Sequence, residues 1–131
     1  MATDIDTNVV VKGQTGVYVE ERLSNLSSKL VSKHFDKVAI DGATKMQVRK
    51  SLRDITFFKP LNLLQDWPMT GLFEMIFCRN VVIYFDKPTQ KILFNRFADL
   101  LAPGGYLVIG HSESMYKLSD RYTSIGNTVY R

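Results

Sequence analysis

A chain of 131 residues suffices for one domain, or a portion of one, that buries about two-thirds of its unfolded surface. Hydrophobic residues at 45% and charged residues at 23% exclude a disordered chain, and the single cysteine, Cys78, excludes an internal disulfide and a cysteine zinc cage. The net charge of +4 is unevenly spread: residues 29–59 hold eight basic side chains against three acidic ones, a net of +5, so the remainder is close to neutral.

Taken in chain order, Asp6 is a helix N-cap for a short helix through Val9, Val10 and Val11 that ends near Gly13 or Gly16. Ser27 caps a second helix with Leu30, Val31 and Phe35 on one side. Residues 37–41 and 46–50 read as short strands around Asp41-Gly42, with residues 55–58 as a third, so that 36 to about 54 form a small antiparallel insertion on a larger α/β body. Phe73 to Cys78 is a short, mostly apolar run, the mark of a strand covered on both faces. Asp86 caps the next helix, Pro88 fits its first turn, and Leu93, Phe97, Leu100 and Leu101 form one apolar stripe. Pro103-Gly104-Gly105 stops that helix, and Tyr106 to Gly110 is a second buried strand. Strand, helix, strand is a βαβ unit, whose strands run parallel. Tyr122–Ile125 and Thr128–Tyr130, joined by Gly126-Asn127, read as a terminal hairpin.

In open parallel sheets, ligands bind beyond the carboxyl ends of the strands. That rule singles out Asp4, Asn62-Leu63, Arg79-Asn80 and His111-Ser112-Glu113. A carboxylate at such a rim can accept from both ribose hydroxyls. Each residue also has a plain structural reading. Asp4 can compete with Asp6 as a cap, Arg79 can pair with Glu74 or Asp86, Asn80 can turn the chain, and Tyr84 and Phe85 can fill a core. His111, Ser112 and Glu113 suggest a hydrolase triad, but no Gly-x-Ser-x-Gly elbow accompanies them. Cys78 is expected to pack as a small apolar residue. Two scattered histidines offer no metal-ligand spacing, so no metal is expected. The basic segment is either a solvated face or a docking surface for an acidic partner. It lacks the interleaved aromatics of a nucleic-acid site. The N-terminus lacks a signal-peptide pattern and no run approaches the roughly 18 apolar residues of a membrane helix, so a cytoplasmic protein without membrane insertion is expected.

Several blocks, taken in order and spacing, resemble the chemotaxis receptor methyltransferases of the CheR type. They are residues 3–7, Asn62-Leu63-Leu64, the run from Ile76 to Phe85 with its Cys-Arg-Asn-Val-x-Ile-Tyr-Phe core, residues 101–105, Gly110-His111-Ser112-Glu113-Ser114 and the ending Thr128-Val129-Tyr130. The resemblance spans nearly the whole chain and covers part of the family's catalytic half. It implies a Rossmann-like α/β sheet that binds S-adenosyl-L-methionine (product S-adenosyl-L-homocysteine), with a small antiparallel β insertion and a C-terminal hairpin. It also implies methyl transfer to glutamate side chains on the cytoplasmic domain of methyl-accepting chemotaxis receptors, in chemotaxis adaptation. By the same resemblance Asp4 binds the ribose, Asn62 and Leu63 lie along the adenine, Arg79 and Asn80 flank the nucleoside and methionine end, and Tyr84 approaches the methyl group; Arg79 and Tyr84 are the catalytic candidates. The insertion at about 36–54 resembles the family's small receptor-contacting β-subdomain, although residues 41–47 do not reproduce its peptide-gripping pattern. Basic segment 29–59 is the expected receptor contact.

The family's first strand and its glycine-bearing loop are not matched, because the chain opens on the second strand; in this fold the first lies between the second and fourth. The expectation is therefore a partial catalytic domain, residues 1–131, weakly active or inactive alone. The alternative is a non-catalytic module that docks to a receptor or forms homo-oligomers through its open sheet.

Overall fold

In a computed structural model that describes residues 1–115 and 118–131, the chain forms two compact units, Met1–Asn62 and Leu63–Arg131.

The first unit opens with strand β1 (Ala2–Asp4) and helix α1 (Thr7–Thr15). The Asp6 carboxylate accepts the Asn8 N–H at 2.8 Å, satisfying a free donor of the first turn. Gly16 closes the helix in the left-handed region at φ 63°, where a side chain would be strained. Strand β2 (Val17–Tyr18) and helix α2 (Ser28–His34), capped by Ser27 Oγ, lead into strands β3 (Phe35–Ile40) and β4 (Ala43–Val48). The turn between them places Asp41 and Gly42 at φ 54° and 73°, the two left-handed residues of a tight hairpin. The antiparallel sheet has the order β2-β4-β3.

The expected boundaries shift here. Residues 50–53 form the short helix α3 (Lys50–Arg53), so the second hairpin strand ends at Val48. The strand expected at 55–58 is β5 (Phe58–Pro60) instead, and it pairs in parallel with β1, outside the antiparallel sheet. Val17 and Tyr18 take the third place in that sheet. A two-residue strand carries too little alternation to be read from sequence. The buried apolar side chains of this unit are Val10, Leu23 and Met46, a thin core.

The second unit contains the expected βαβ element: β6 (Phe73–Cys78), α4 (Lys87–Leu100) and β7 (Leu101–Ile109), with β6 and β7 parallel. Asp86 Oδ1 accepts the Thr89 N–H at 2.9 Å and Pro88 sits in the first turn. The helix stops at Leu100, ahead of the Pro-Gly-Gly run, because Leu101 already pairs with Phe73. The stripe buried under α4 is Gln90, Leu93, Phe94 and Phe97, the i, i+3, i+4, i+7 spacing of one helical face. Leu101 leaves the stripe by becoming the first strand residue, and Phe94, absent from the expected stripe, is wholly buried.

These side chains pack with Cys78, Leu107 and Ile109 in one core. Only that face of the strands is closed. Met75 and Phe77, on the opposite face of β6, are 47% and 67% exposed, so the run of apolar residues does not reflect burial on both faces. Strands β8 (Ser124–Gly126) and β9 (Val129–Tyr130) form the terminal hairpin, turned at Asn127 and Thr128 (φ 50° and 64°), one residue later than expected. The sheet order is β6-β7-β9-β8. Among the described residues, β1 and β6 thus each have a strand neighbour on one side only, each in its own unit. No helix of the described residues is long and apolar enough to cross a membrane.

Candidate cofactor site

Parallel pairing puts the carboxyl ends of paired strands on one rim, and in each unit the sequence-nominated polar residues lie there. In the first unit, β1 and β5 end together, with Asp4 opposite Pro60. The Leu61 N–H donates to the Asp4 carbonyl at 2.9 Å, which sets Asn62 one residue beyond the contact. Asp4 Oδ1 accepts the Asp6 N–H at 2.9 Å. That bond orients the carboxylate, and its second oxygen has no partner among the described residues. Asp4 does not cap α1; Asp6 does.

In the second unit, β6 and β7 end together, with Cys78 opposite Ile109. Arg79 and Asn80 continue β6, while Gly110 and His111 continue β7. Arg79 is exposed and forms no ion pair with Glu74, Asp86 or any other described residue. Asn80 adopts φ 59°, a left-handed conformation that asparagine tolerates. Tyr84 ends a one-turn 3-10 helix (Val82–Tyr84) and is 80% exposed, so it is not a core residue; Phe85 packs against the core. Gln90 fixes this turn from α4: its buried Nε2 donates to the Val82 and Phe85 carbonyls, each at 2.9 Å.

Leu63 is anchored through its backbone. Its carbonyl accepts from Trp67 Nε1 at 3.1 Å and from Arg96 Nη1 at 3.2 Å. Leu63 thus sits on a loop tied to α4.

Glu113, singled out in the sequence only as a rim residue and as a member of a discounted triad, has a different role in the fold. It is 6% exposed, and its two oxygens accept the N–H groups of Asn80, Val81, Ile83 and Gly110. Among the described residues Glu113 forms no hydrolase triad, because both its oxygens accept from backbone donors and His111 lies exposed. The available signal was a carboxylate three residues after a strand-ending glycine. Cys78, beside it, is a buried thiol pushed up to about 12, first by burial and then by the charge of Glu113. It packs as the small apolar residue expected.

A Cβ at Gly110 would come within 2.7 Å of Asn80 Oδ1, so the two turns approach as closely as a backbone allows.

The chain matches, over residues 1–131, the family model described as "CheR methyltransferase, SAM binding domain". The chain belongs to the CheR methyltransferase family. S-adenosylmethionine (SAM) is the cofactor of this CheR domain. A probable chemotaxis protein methyltransferase of Rhizobium etli is 42% identical over 132 residues, covering 100% of this chain and 49% of the relative. The chemotaxis protein methyltransferases of Klebsiella aerogenes and Escherichia coli are 43% and 42% identical, each over 98% of this chain and 45% and 46% of their own lengths. The chain thus spans about half the length of the curated relatives it matches.

Proposed function

We propose that this chain is the portion of a protein-glutamate O-methyltransferase that grips S-adenosylmethionine and presents its methyl group to glutamate side chains on the cytoplasmic domain of chemotaxis receptors. The observation that carries this reading is the pair of strand-end turns, Arg79-Asn80 after β6 and Gly110-His111 after β7, pinned to each other and leading to an exposed Tyr84.

When bound, S-adenosylmethionine supplies a methyl group already activated by its sulfonium charge. The acceptor glutamate, with an ordinary pKa of about 4.3, is an anion at neutral pH, so the protein need not supply a general base. The work left to the chain is positioning and exclusion of water. In this reading Asp4 accepts the ribose hydroxyls through its open oxygen, and Asn62 and Leu63 line the adenine. Asn80 and Arg79 flank the nucleoside and methionine end. Tyr84 and the Arg79 guanidinium orient the incoming carboxylate. Neutralisation of opposite charges along the reaction favours a dry site.

The basic segment supports an acidic receptor surface as partner. Arg49 and Lys50 are paired with Asp36 and Asp54, while Lys29, Lys33, Lys37, Lys45 and Lys59 have no ion pair among the described residues. We assign the receptor-contacting subdomain to the antiparallel region at about 36–54. Among the described residues β1 and β6 are each paired on one side, each within its own unit, which supports the reading of a partial catalytic domain. Calorimetric titration with S-adenosylhomocysteine tests the reading. Low-micromolar binding that is lost in Asp4→Ala is expected; no binding at millimolar ligand defeats it.

A second reading, a non-catalytic module that associates through its open sheet, is favoured by the exposed Met75 and Phe77 on the edge strand β6. Light scattering decides it: a dimer that fails to bind S-adenosylhomocysteine supports this second reading over the first.

A further inference from the structure

We propose that Glu113 is a positioning residue that holds the Asn80 turn in its ligand-ready conformation by clamping the ends of β6 and β7 together. The inference rests on the cofactor reading above for what the turn holds, and on unit geometry alone for the clamp.

Burying a carboxylate is costly unless its oxygens are hydrogen-bonded. Here the bonding is divided evenly. Oε2 accepts Gly110 N–H and Asn80 N–H, the latter at 3.2 Å; Oε1 accepts Val81 N–H at 2.9 Å and Ile83 N–H at 3.4 Å. The donors come from the segments after both strands: Asn80, Val81 and Ile83 follow β6, 30 to 33 residues before Glu113 in the chain, and Gly110 follows β7. Glu113 also donates its own N–H to the Gly110 carbonyl at 3.0 Å, closing a tight turn that carries its side chain back under Asn80. Without the carboxylate, these N–H groups lack a protein acceptor at a rim where Gly110 is buried, and Asn80 loses what offsets its left-handed backbone at φ 59°. Gly110 completes the device, because a Cβ there would meet Glu113 Oε2 at 2.7 Å.

The two-by-two division makes Glu113→Gln a sharp probe. Glutamine has the same shape, but whichever way its amide is turned, an NH2 group faces two N–H donors. The measurement pairs amide hydrogen exchange with calorimetric titration of S-adenosylhomocysteine, on the wild-type chain and on Glu113→Gln. Expected is strong protection of the Asn80, Val81 and Gly110 amides in the wild type. In Glu113→Gln that protection falls while Leu93, Phe94 and Leu107 keep theirs, and ligand affinity weakens about tenfold. Fast exchange of Asn80 and Val81 in the wild type overturns the clamp, even should the variant fail to fold. Unchanged affinity alongside lost protection overturns the positioning role. If the wild type binds no ligand, the cofactor reading falls, and the exchange arm alone upholds or overturns Glu113 as the clamp of the turn.

Discussion

Arg96 and Trp67 converge on one carbonyl. The guanidinium carbon lies 5.2 Å from the indole centroid, and both side chains donate to the oxygen of Leu63. Arg96 also reaches the Gln65 carbonyl at 2.8 Å, and the indole packs 5.2 Å from Phe97 on the same helix. The loop carrying Leu63 is therefore fastened to α4 by a cation over an aromatic face and by several hydrogen bonds. Arg96→Ala is expected to cost about 1–3 kcal/mol, measured by chemical denaturation, and Arg96→Lys to recover only part of it, since lysine lacks the planar fork. Full recovery by lysine would show that charge alone fastens the loop.

Gln90 plays the corresponding part for the segment that bears Tyr84. Its buried amide supplies both donors to the Val82 and Phe85 carbonyls, and its oxygen accepts from Lys87 Nζ at 3.2 Å. Gln90→Leu keeps the bulk but orphans both carbonyls, so a loss of about 1–3 kcal/mol is expected. Increased exchange of the Tyr84 amide should accompany it. A melting temperature equal to wild type would show that water satisfies those carbonyls.

Gly110 has no room for a methyl group. Its Cβ would stand 2.7 Å from both Asn80 Oδ1 and Glu113 Oε2 and 3.0 Å from Asn80 N. Gly110→Ala is expected to destabilise by about 1–3 kcal/mol and to loosen the Asn80 turn, read as faster exchange of its amide. Gly42→Ala meets no such wall and is strained only by its φ of 73°, so it is the milder change.

The Cys78 thiol sets an alkaline limit. In the fold it is pushed up to about 12 from an ordinary value of 9.0, so between these values the folded state holds a proton that the unfolded chain releases. Stability is therefore full below about pH 9 and falls as pH rises through that window. The expected loss is roughly 1 kcal/mol between pH 8 and 10. Tyr122 is raised by burial as well, and its hydroxyl donates to the Phe94 carbonyl at 2.7 Å, which steepens the decline further up the scale. Urea denaturation of wild type and Cys78→Ser at pH 8 and 10 checks this: the serine variant should show a clearly shallower decline.

The unpaired lysines predict salt-sensitive docking. Lys37→Glu with Lys45→Glu should weaken association with an acidic receptor fragment at least tenfold at low ionic strength, with little effect on the binding of S-adenosylhomocysteine. Equal receptor affinity in the double variant would make the basic segment a merely solvated face.

The amino-acid sequence alone determined what local chemistry can carry. The Asp6, Ser27 and Asp86 caps, the Asp41-Gly42 hairpin turn and the βαβ order all depend on residues a few positions apart, whose propensities act before any packing. The family blocks around Cys78 to Phe85 were equally legible, since they are contiguous. Tertiary structure decided what depends on distant partners. It ended α4 at Leu100 because Leu101 found Phe73, moved the 55–58 strand to Phe58–Pro60 because β1 offered a parallel neighbour, and enlisted Val17 and Tyr18 beside β4. It also turned Glu113 from a member of a discarded triad into a buried clamp, because four backbone donors from two strand ends meet only after the sheet has formed. A carboxylate's partners are invisible along the chain when they are main-chain groups, which every residue but proline carries.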